Sequence, residues 1–328
     1  MPSTVTHAYF AIDVIDKLDN KTKKILNNNI ANIKTFGQGS DPLYFYYLAL
    51  PIIGKNVRNT YPRLIHDTNT KDFFITLIDE IKTKKLEYDS QIISMLYGFI
   101  CHYTLDSTIH PYIIYKTGIY DKDKPETYKY RSLHLDMELY LDGYMIFQRE
   151  KMPIQNFKLH EFCFEKNNIS IKTKEVLDAV FKKVYNIDNY SKYYLKAIKH
   201  TKEINRFFRY DKYGIKKVGY IILDMLLPKK QLKKEQLSYH IDYRKKMHYL
   251  NNEKNEWNHP MDEYETYTYS FIELYHIALD KAVKIIDKVN AVLYDNEDLK
   301  ILDKTFKNIS HKTGKDCNDK RKLLYFEY

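Results

Sequence analysis

Glycine and proline are scarce in this chain, nine of each among 328 residues. Turn signals do not recur every ~8–12 residues, which argues against a β-sandwich or barrel and leaves long helices as the main way to order the backbone. Cysteine is scarcer still. Cys101, Cys163 and Cys317 are odd in number, far apart and never in a CxxC pair. That excludes a disulfide framework and a thiolate zinc ribbon, and it suits a reducing compartment, so the cytoplasm is the expected location. No apolar run reaches the ~18 residues of a membrane-spanning helix; the longest, residues 44–54, is interrupted by Pro51. The N-terminus lacks a basic region, a continuous apolar stretch and a small-residue cleavage site, so it does not read as a secretory signal. No internal repeat is present.

What remains is enough for a large core: 44% of the residues are hydrophobic. The expected fold is all-α, a single helical domain over residues 1–302 followed by a frayed polar tail over 303–328. The net charge of +10 lies entirely in the second half, because residues 1–150 hold 18 basic and 18 acidic side chains and the rest hold 35 and 25. A basic surface attracts phosphates, nucleic acid or anionic lipid. However, 45 of the 53 cations are Lys in a chain also rich in Asn, Ile and Tyr, so compositional bias alone accounts for such an excess.

The stretch GFICHYTLDSTIHP, residues 98–111, sets His102, Asp106 and His110 four apart in an otherwise apolar segment. Each step of four drifts only about 40° round a helix, so the three side chains share one stripe. The surrounding residues make this a central helix buried nearly all round, ended by Pro111. A second such helix, SLHLDMELYLDGYMIF, carries His134, Glu138 and Asp142. Buried charges are costly unless paired or bound to metal. His7 faces inward on a first helix that begins near Thr4 or Thr6. His66 lies in YPRLIHDTNT, which reads as a loop. Asp41 follows the two glycines of FGQGSDP and precedes Pro42, a good start for a helix. A helix is expected over 71–84 and others near 172–186, 190–209, 213–226, 231–250 and 264–294. The remaining histidines, His160, His200, His240, His248, His259, His276 and His311, lack an inward setting and read as surface or capping residues.

His7, Asp41, His66, His102, Asp106, His110, His134 and Glu138 thus form a set of eight nitrogen and oxygen donors. Imidazole with carboxylate suits zinc, and less selectively iron or manganese. Eight donors exceed the needs of one tetrahedral ion, so two or three ions are expected. The segments THAYF, GQGSDP, the His66 segment, HYTLDSTIH and HLDME, in that order over residues 6–138, resemble the zinc-dependent phospholipase C family, related to the P1-type nucleases. The resemblance implies an all-α fold with three zinc ions at the bottom of a cleft. It implies that His102, Asp106, Asp41 and His66 hold a central ion, that His110, His134 and Glu138 hold a second, and that His7 with bridging Asp106 holds a third. Secreted members complete the third site with an N-terminal Trp. No Trp stands near the start of this chain, and the Pro2 amine, freed by removal of Met1, is the nearest substitute.

The implied activity is hydrolysis of a phosphodiester, with Asp41 orienting or deprotonating the attacking water. A phospholipid at a membrane surface is the first substrate class and nucleic acid or a small phosphoester the second. Two rival readings are an HD-type phosphohydrolase built on His66–Asp67 and a non-catalytic interaction protein whose metal staples the helices together.

Overall fold

In the computed structural model of the chain, residues 4–327 are described except 27–28, 49, 51, 122, 166–167, 227–232 and 240–242. The architecture is all-α. Among the described residues the helices are α1 Thr4–Lys17, α2 Asn20–Ile25, α3 Ile30–Phe36, α4 Lys55–Asp67, α5 Thr70–Thr83, α6 Ser90–Thr117 and α7 Tyr128–Glu150. They continue with α8 Leu159–Phe162, α9 Ile171–Tyr185, α10 Tyr190–Ile204, α11 Ile215–Leu226, α12 Phe271–Tyr294 and α13 Ile301–Thr305. One antiparallel pair, β1 Trp257–His259 with β2 Asp262–Tyr267, precedes α12. None of the described helices is long and apolar enough to cross a membrane.

α6 is the axis of the molecule. Its start is fixed by Asp89, whose carboxylate accepts from the amides of Gln91 and Ile92 at 3.1 and 3.2 Å, satisfying donors that the helix itself leaves orphaned. α1, α3, α7 and α12 pack around it. The enclosed side chains, among them Ile92, Met95, Leu96, Ile100, Leu105, Ile109 and Ile113, are fully buried. α1 is capped from a distance. Asp142 of α7 accepts from the amides of Val5 and Thr6 at 3.1 and 2.7 Å and from the Thr6 hydroxyl at 2.9 Å. The third acid of the α7 stripe is therefore structural: its charge sits at the positive end of α1 and locks the helix that carries His7.

Four local expectations are corrected. Pro111 does not end α6, which runs on to Thr117 and stops where Gly118 takes φ +69°. Proline removes one i→i−4 hydrogen bond, to the Ser107 carbonyl, and the packing of a wholly buried helix outweighs that loss. His66 lies in helix α4, not in a loop, because Pro62 is likewise accommodated inside it. Residues 264–294 begin as strand β2, and α12 starts later at a capping box in which Ser270 and Glu273 exchange backbone bonds. The 231–250 region forms no α-helix among its described residues. Short 3-10 turns at Lys234–Leu237 and Tyr243–Leu250 take its place, held by hydrogen bonds from Lys246 and the Tyr249 hydroxyl to Asp136 of α7.

The C-terminal segment is the fifth difference. Past α13 it is not frayed but docked. Ile309 bridges Asp316, the Leu324 amide donates to the Pro260 carbonyl at 2.7 Å, and the Glu327 amide donates to the Tyr115 carbonyl at 2.9 Å. Backbone bonds of this kind carry no hydropathy signature, which is why a Lys- and Asn-rich stretch reads as a tail.

Candidate metal centre

Five separate elements bring the donors together. α1 supplies His7, α4 supplies His66, α6 supplies His102, Asp106 and His110, and α7 supplies His134 and Glu138. Asp41 opens a short 3-10 turn, Asp41–Phe45, with Pro42 next to it. Gly39 just before it takes φ +54°, and a Cβ there would lie 2.0 Å from the His102 ring. The glycine is thus required both for the turn and for room to seat His102.

All eight sequence-derived residues fall into groups whose ligand atoms lie within 4.8 Å of one another. One group is His7, Asp41, His102 and Asp106; another is His66, His102, Asp106 and His311; the third is His110, His134 and Glu138. The first two share His102 and Asp106, so Asp106 stands at the junction of an inner cluster. Its Oδ1 is 3.2 Å from His7 Nε2 and its Oδ2 is 3.3 Å from His102 Nε2. His66 Nε2 is 3.1 Å from His102 Nε2 and 3.4 Å from Asp41 Oδ1. Two nitrogens held at about 2.0–2.1 Å by one tetrahedral zinc stand roughly 3.3 Å apart, so these separations suit shared ligation.

The donor chemistry fits a divalent cation for a further reason. Neither carboxylate oxygen of Asp41 or of Asp106 has a hydrogen-bond partner among the described residues, nor has either ring nitrogen of His7, nor Nδ1 of His102 or His311. Buried polar atoms are satisfied almost everywhere in native proteins, so a concentration of orphans at one point marks a missing partner. Burial lowers the pKa of His7 to about 4 and of His311 to about 3, and holds His66, His102 and His110 well below the usual histidine range. The imidazoles are therefore neutral, the form that ligates. Burial raises Asp41 and Asp106 well above the usual carboxylate range, and for Asp41 the negative charge of Asp106 adds to it. A dication reverses that penalty.

The outer group is pre-oriented by hydrogen bonds. Thr117 donates its hydroxyl to the Ile113 carbonyl at 2.7 Å and so accepts from His134 Nδ1 at 3.2 Å. His134 Nε2 faces Glu138 Oε1, 3.0 Å away. His110 Nδ1 donates to the His311 carbonyl at 3.2 Å, and its Nε2 faces Glu138 Oε1 at 3.9 Å. Both rings thus present Nε2 to one point, the usual use of an outer hydrogen bond at a metal site. The His134 side chain is 27% exposed. It marks the open end of an otherwise closed constellation.

His311 is the residue that sequence reading placed wrongly. It is buried, and its ring lies 4.8 Å from that of His66 and 5.3 Å from that of His102. The available signal was SHKTG, a Ser and a Gly bracketing a His as in a tight turn, yet nothing in that pentapeptide says where the turn docks. His160 and His259 are also buried rather than superficial, and His259 Nε2 bonds the Thr313 carbonyl at 2.9 Å. His248 and His276 are exposed and His200 is half-buried, while His240 and Pro2 lie outside the described residues. Asp67, the acid of the HD pair, accepts from the Ser310 hydroxyl at 2.7 Å and belongs to none of the three groups.

No curated protein and no protein of solved structure is matched by this chain. The family description "Zinc dependent phospholipase C" matches residues 6–187, more than half of the chain and all eight of the donors picked from sequence. The chain therefore belongs to the zinc-dependent phospholipase C family.

Proposed function

We propose that the protein is a zinc-dependent phosphodiester hydrolase, acting first on phospholipids. The observation that carries this reading is the convergence of the eight donors, with both carboxylates of the inner cluster buried and without a hydrogen bond among the described residues. His7, Asp41, His66, His102 and Asp106 would hold one or two inner zinc ions, and His110, His134 and Glu138 an outer one, for two to three ions in all. Zinc supplies Lewis acidity, lowering the pKa of a water and offsetting phosphoryl charge. The chain does the rest. Asp41 has no hydrogen bond at either oxygen among the described residues and is made proton-avid by burial, which suits it to orient a water and take its proton. The partly exposed His134 marks the edge from which a phosphoryl group would reach the outer site.

The test offers zinc-loaded protein a phosphatidylcholine, a bis-aryl phosphodiester and single-stranded nucleic acid. The expected result is hydrolysis of the first two, with Asp41→Asn lowering turnover far more than binding. Full metal loading without cleavage of any substrate would instead favour the stapling role. The closure of the inner cluster, where His7, His102 and Asp106 are essentially inaccessible, is the one feature that speaks for that alternative.

A further inference from the structure

We propose that His311 is a protein ligand of the inner cluster, and that residues 306–327 form a strap whose docking completes the site. This rests on the metal-binding reading above, though not on catalysis. His311 lies far outside residues 6–187, where the family match falls, yet its ligand atom is within 4.8 Å of those of His66, His102 and Asp106. Its Nδ1 is buried without a hydrogen bond among the described residues. An imidazole with an unsatisfied nitrogen among the described residues, packed among three other donors, is better explained as a ligand than as core filling, for which a residue without ring nitrogens would serve.

The backbone of the same residue ties the two metal regions together. The His311 amide donates to the His66 carbonyl at 3.0 Å, and its carbonyl accepts from His110 Nδ1. One strap residue therefore contributes a donor to the inner cluster and sets the tautomer of a donor in the outer one. The strap is pinned on every side. The Ser310 hydroxyl donates to Asp67, and the amides of Lys312 and Thr313 close a turn on the Ser310 oxygen at 3.1 and 3.2 Å. Thr313 is held by His259. Gly314, at φ +66°, lies so close to α6 that a Cβ would come within 2.4 Å of the Ser107 carbonyl. That carbonyl is the one left without its helical donor by Pro111. The proline inside α6 and the glycine of the strap thus meet one residue beyond Asp106.

The test uses the full chain. His311→Gln keeps both backbone bonds and removes only the imidazole. The expected result is a loss of zinc affinity, measured against a competing chelator, larger than the about 10–100-fold typical of removing an outer hydrogen-bond partner. The visible spectrum of the cobalt-substituted protein should shift at the same time. Gly314→Val alters no donor but must push the strap off α6, so it should weaken metal binding too and speed tryptic cleavage at Lys312 and Lys315. Chelator should speed that cleavage in the wild type. Unchanged affinity and cobalt spectrum in a folded His311→Gln protein would overturn the inference while leaving the metal centre standing. A wild-type chain that holds no zinc would overturn the metal reading itself. If His311→Gln does not fold, the cleavage rates of the wild type with and without metal decide: equal rates overturn the strap.

A separate observation lies at α11. This helix buries none of its residues, and its apolar side chains point outward: Ile222 is 51% exposed, Met225 78% and Leu226 76%. Its polar side is the bound one, with Asp224 accepting from the amides of Lys234 and Glu235 and Lys217 donating to the Glu235 carbonyl. Phe207, Phe208 and Tyr213, just before α11 in sequence, are exposed as well. Residues 196–234 carry twelve Lys and Arg against three acids, nearly all of the net charge of the chain. An apolar helix face set in a strongly basic segment has the chemistry of an anionic bilayer surface, and we infer that this face docks there. Full-length protein should sediment with phosphatidylserine-containing vesicles and much less with pure phosphatidylcholine. Ile222→Ser with Leu226→Ser should reduce that binding at least tenfold without altering hydrolysis of a soluble phosphodiester. No vesicle binding, binding indifferent to these substitutions, or self-association abolished by them in the absence of lipid would each overturn the inference.

Discussion

α6 and α11 invert the rule of apolar inside and polar outside in opposite senses. α6 is surrounded by core and carries His102, Asp106 and His110 within it, whereas α11 lies at the surface with Ile222, Met225 and Leu226 facing solvent. In α6 the polar residues converge on the same points as donors from four other elements. In α11 the apolar residues converge on nothing within the described chain. Polar groups inside a core are costly enough that a shared partner is needed to hold them, while scattered apolar groups outside are tolerated and only a contiguous face calls for an explanation. The comparison therefore predicts large effects from conservative changes on α6 and small ones from drastic changes on α11.

The largest effect is expected at Asp106, which two ligand groups share. Asp106→Asn preserves shape but removes a charge, so elemental analysis should show loss of the inner zinc from a wild-type complement of two to three. Thermal or denaturant unfolding should show a loss of about 3–5 kcal/mol, as when one member of a buried charge pair is removed. An unchanged metal content would remove the reason for placing α6 in a class apart.

Removing the metal itself should have the next largest effect, with a defined pH dependence. Asp41 and Asp106 are held above the ordinary carboxylate value by burial, so in chelated protein their contribution is present below pH ~4 and lost as pH rises through the folded values. His7 and His311 are held at about 4 and about 3. Their contribution is full above pH ~6.5 and is lost as pH falls towards those values. The chelated protein is thus squeezed from both sides. The zinc-loaded protein is spared the carboxylate penalty, so the difference in melting temperature between the two should widen from pH 5 to pH 8. A difference that narrows over that range would mean that the two carboxylates are not ligands.

Smaller effects are expected at the outer site, where His134 is partly exposed. His134→Ala and Glu138→Ala should each lower zinc content by about one equivalent while sparing the inner cluster. Exposed His276 is the matched control, and His276→Ala should change neither metal content nor stability.

The contrast also explains what was legible in the sequence. Spacing of four on two apolar helices exposes His102, Asp106, His110, His134 and Glu138 because helical geometry alone puts them on one stripe. His7, Asp41 and His66 were legible through local chemistry and family resemblance. The helical state of His66 was not, since Pro62 looks like a breaker and only burial shows that it is tolerated. His311 was hidden because its position depends on a strap set by side-chain and backbone bonds to Asp67, His66 and His259, all distant in sequence. The helix expected near 213–226 is present as α11, but its outward apolar face is not legible. Periodicity gives the existence of an apolar face but not the direction in which tertiary contacts turn it.

The smallest effect is therefore the most direct check on that direction. Ile222→Ser combined with Leu226→Ser removes two branched side chains from a helix and, in α6, the same change would open a cavity costing several kcal/mol. On α11 both side chains are mostly in water already. They give up little contact, and the helix is held by Asp224 and Lys217 from its other side. The expected change in unfolding free energy is within about 0.5 kcal/mol, the range of substitutions on an unengaged surface. Metal content should be unchanged. A loss of about 2 kcal/mol or more would mean that the apolar face is covered in the folded chain, and the opposition between the two helices would collapse into a single rule obeyed by both.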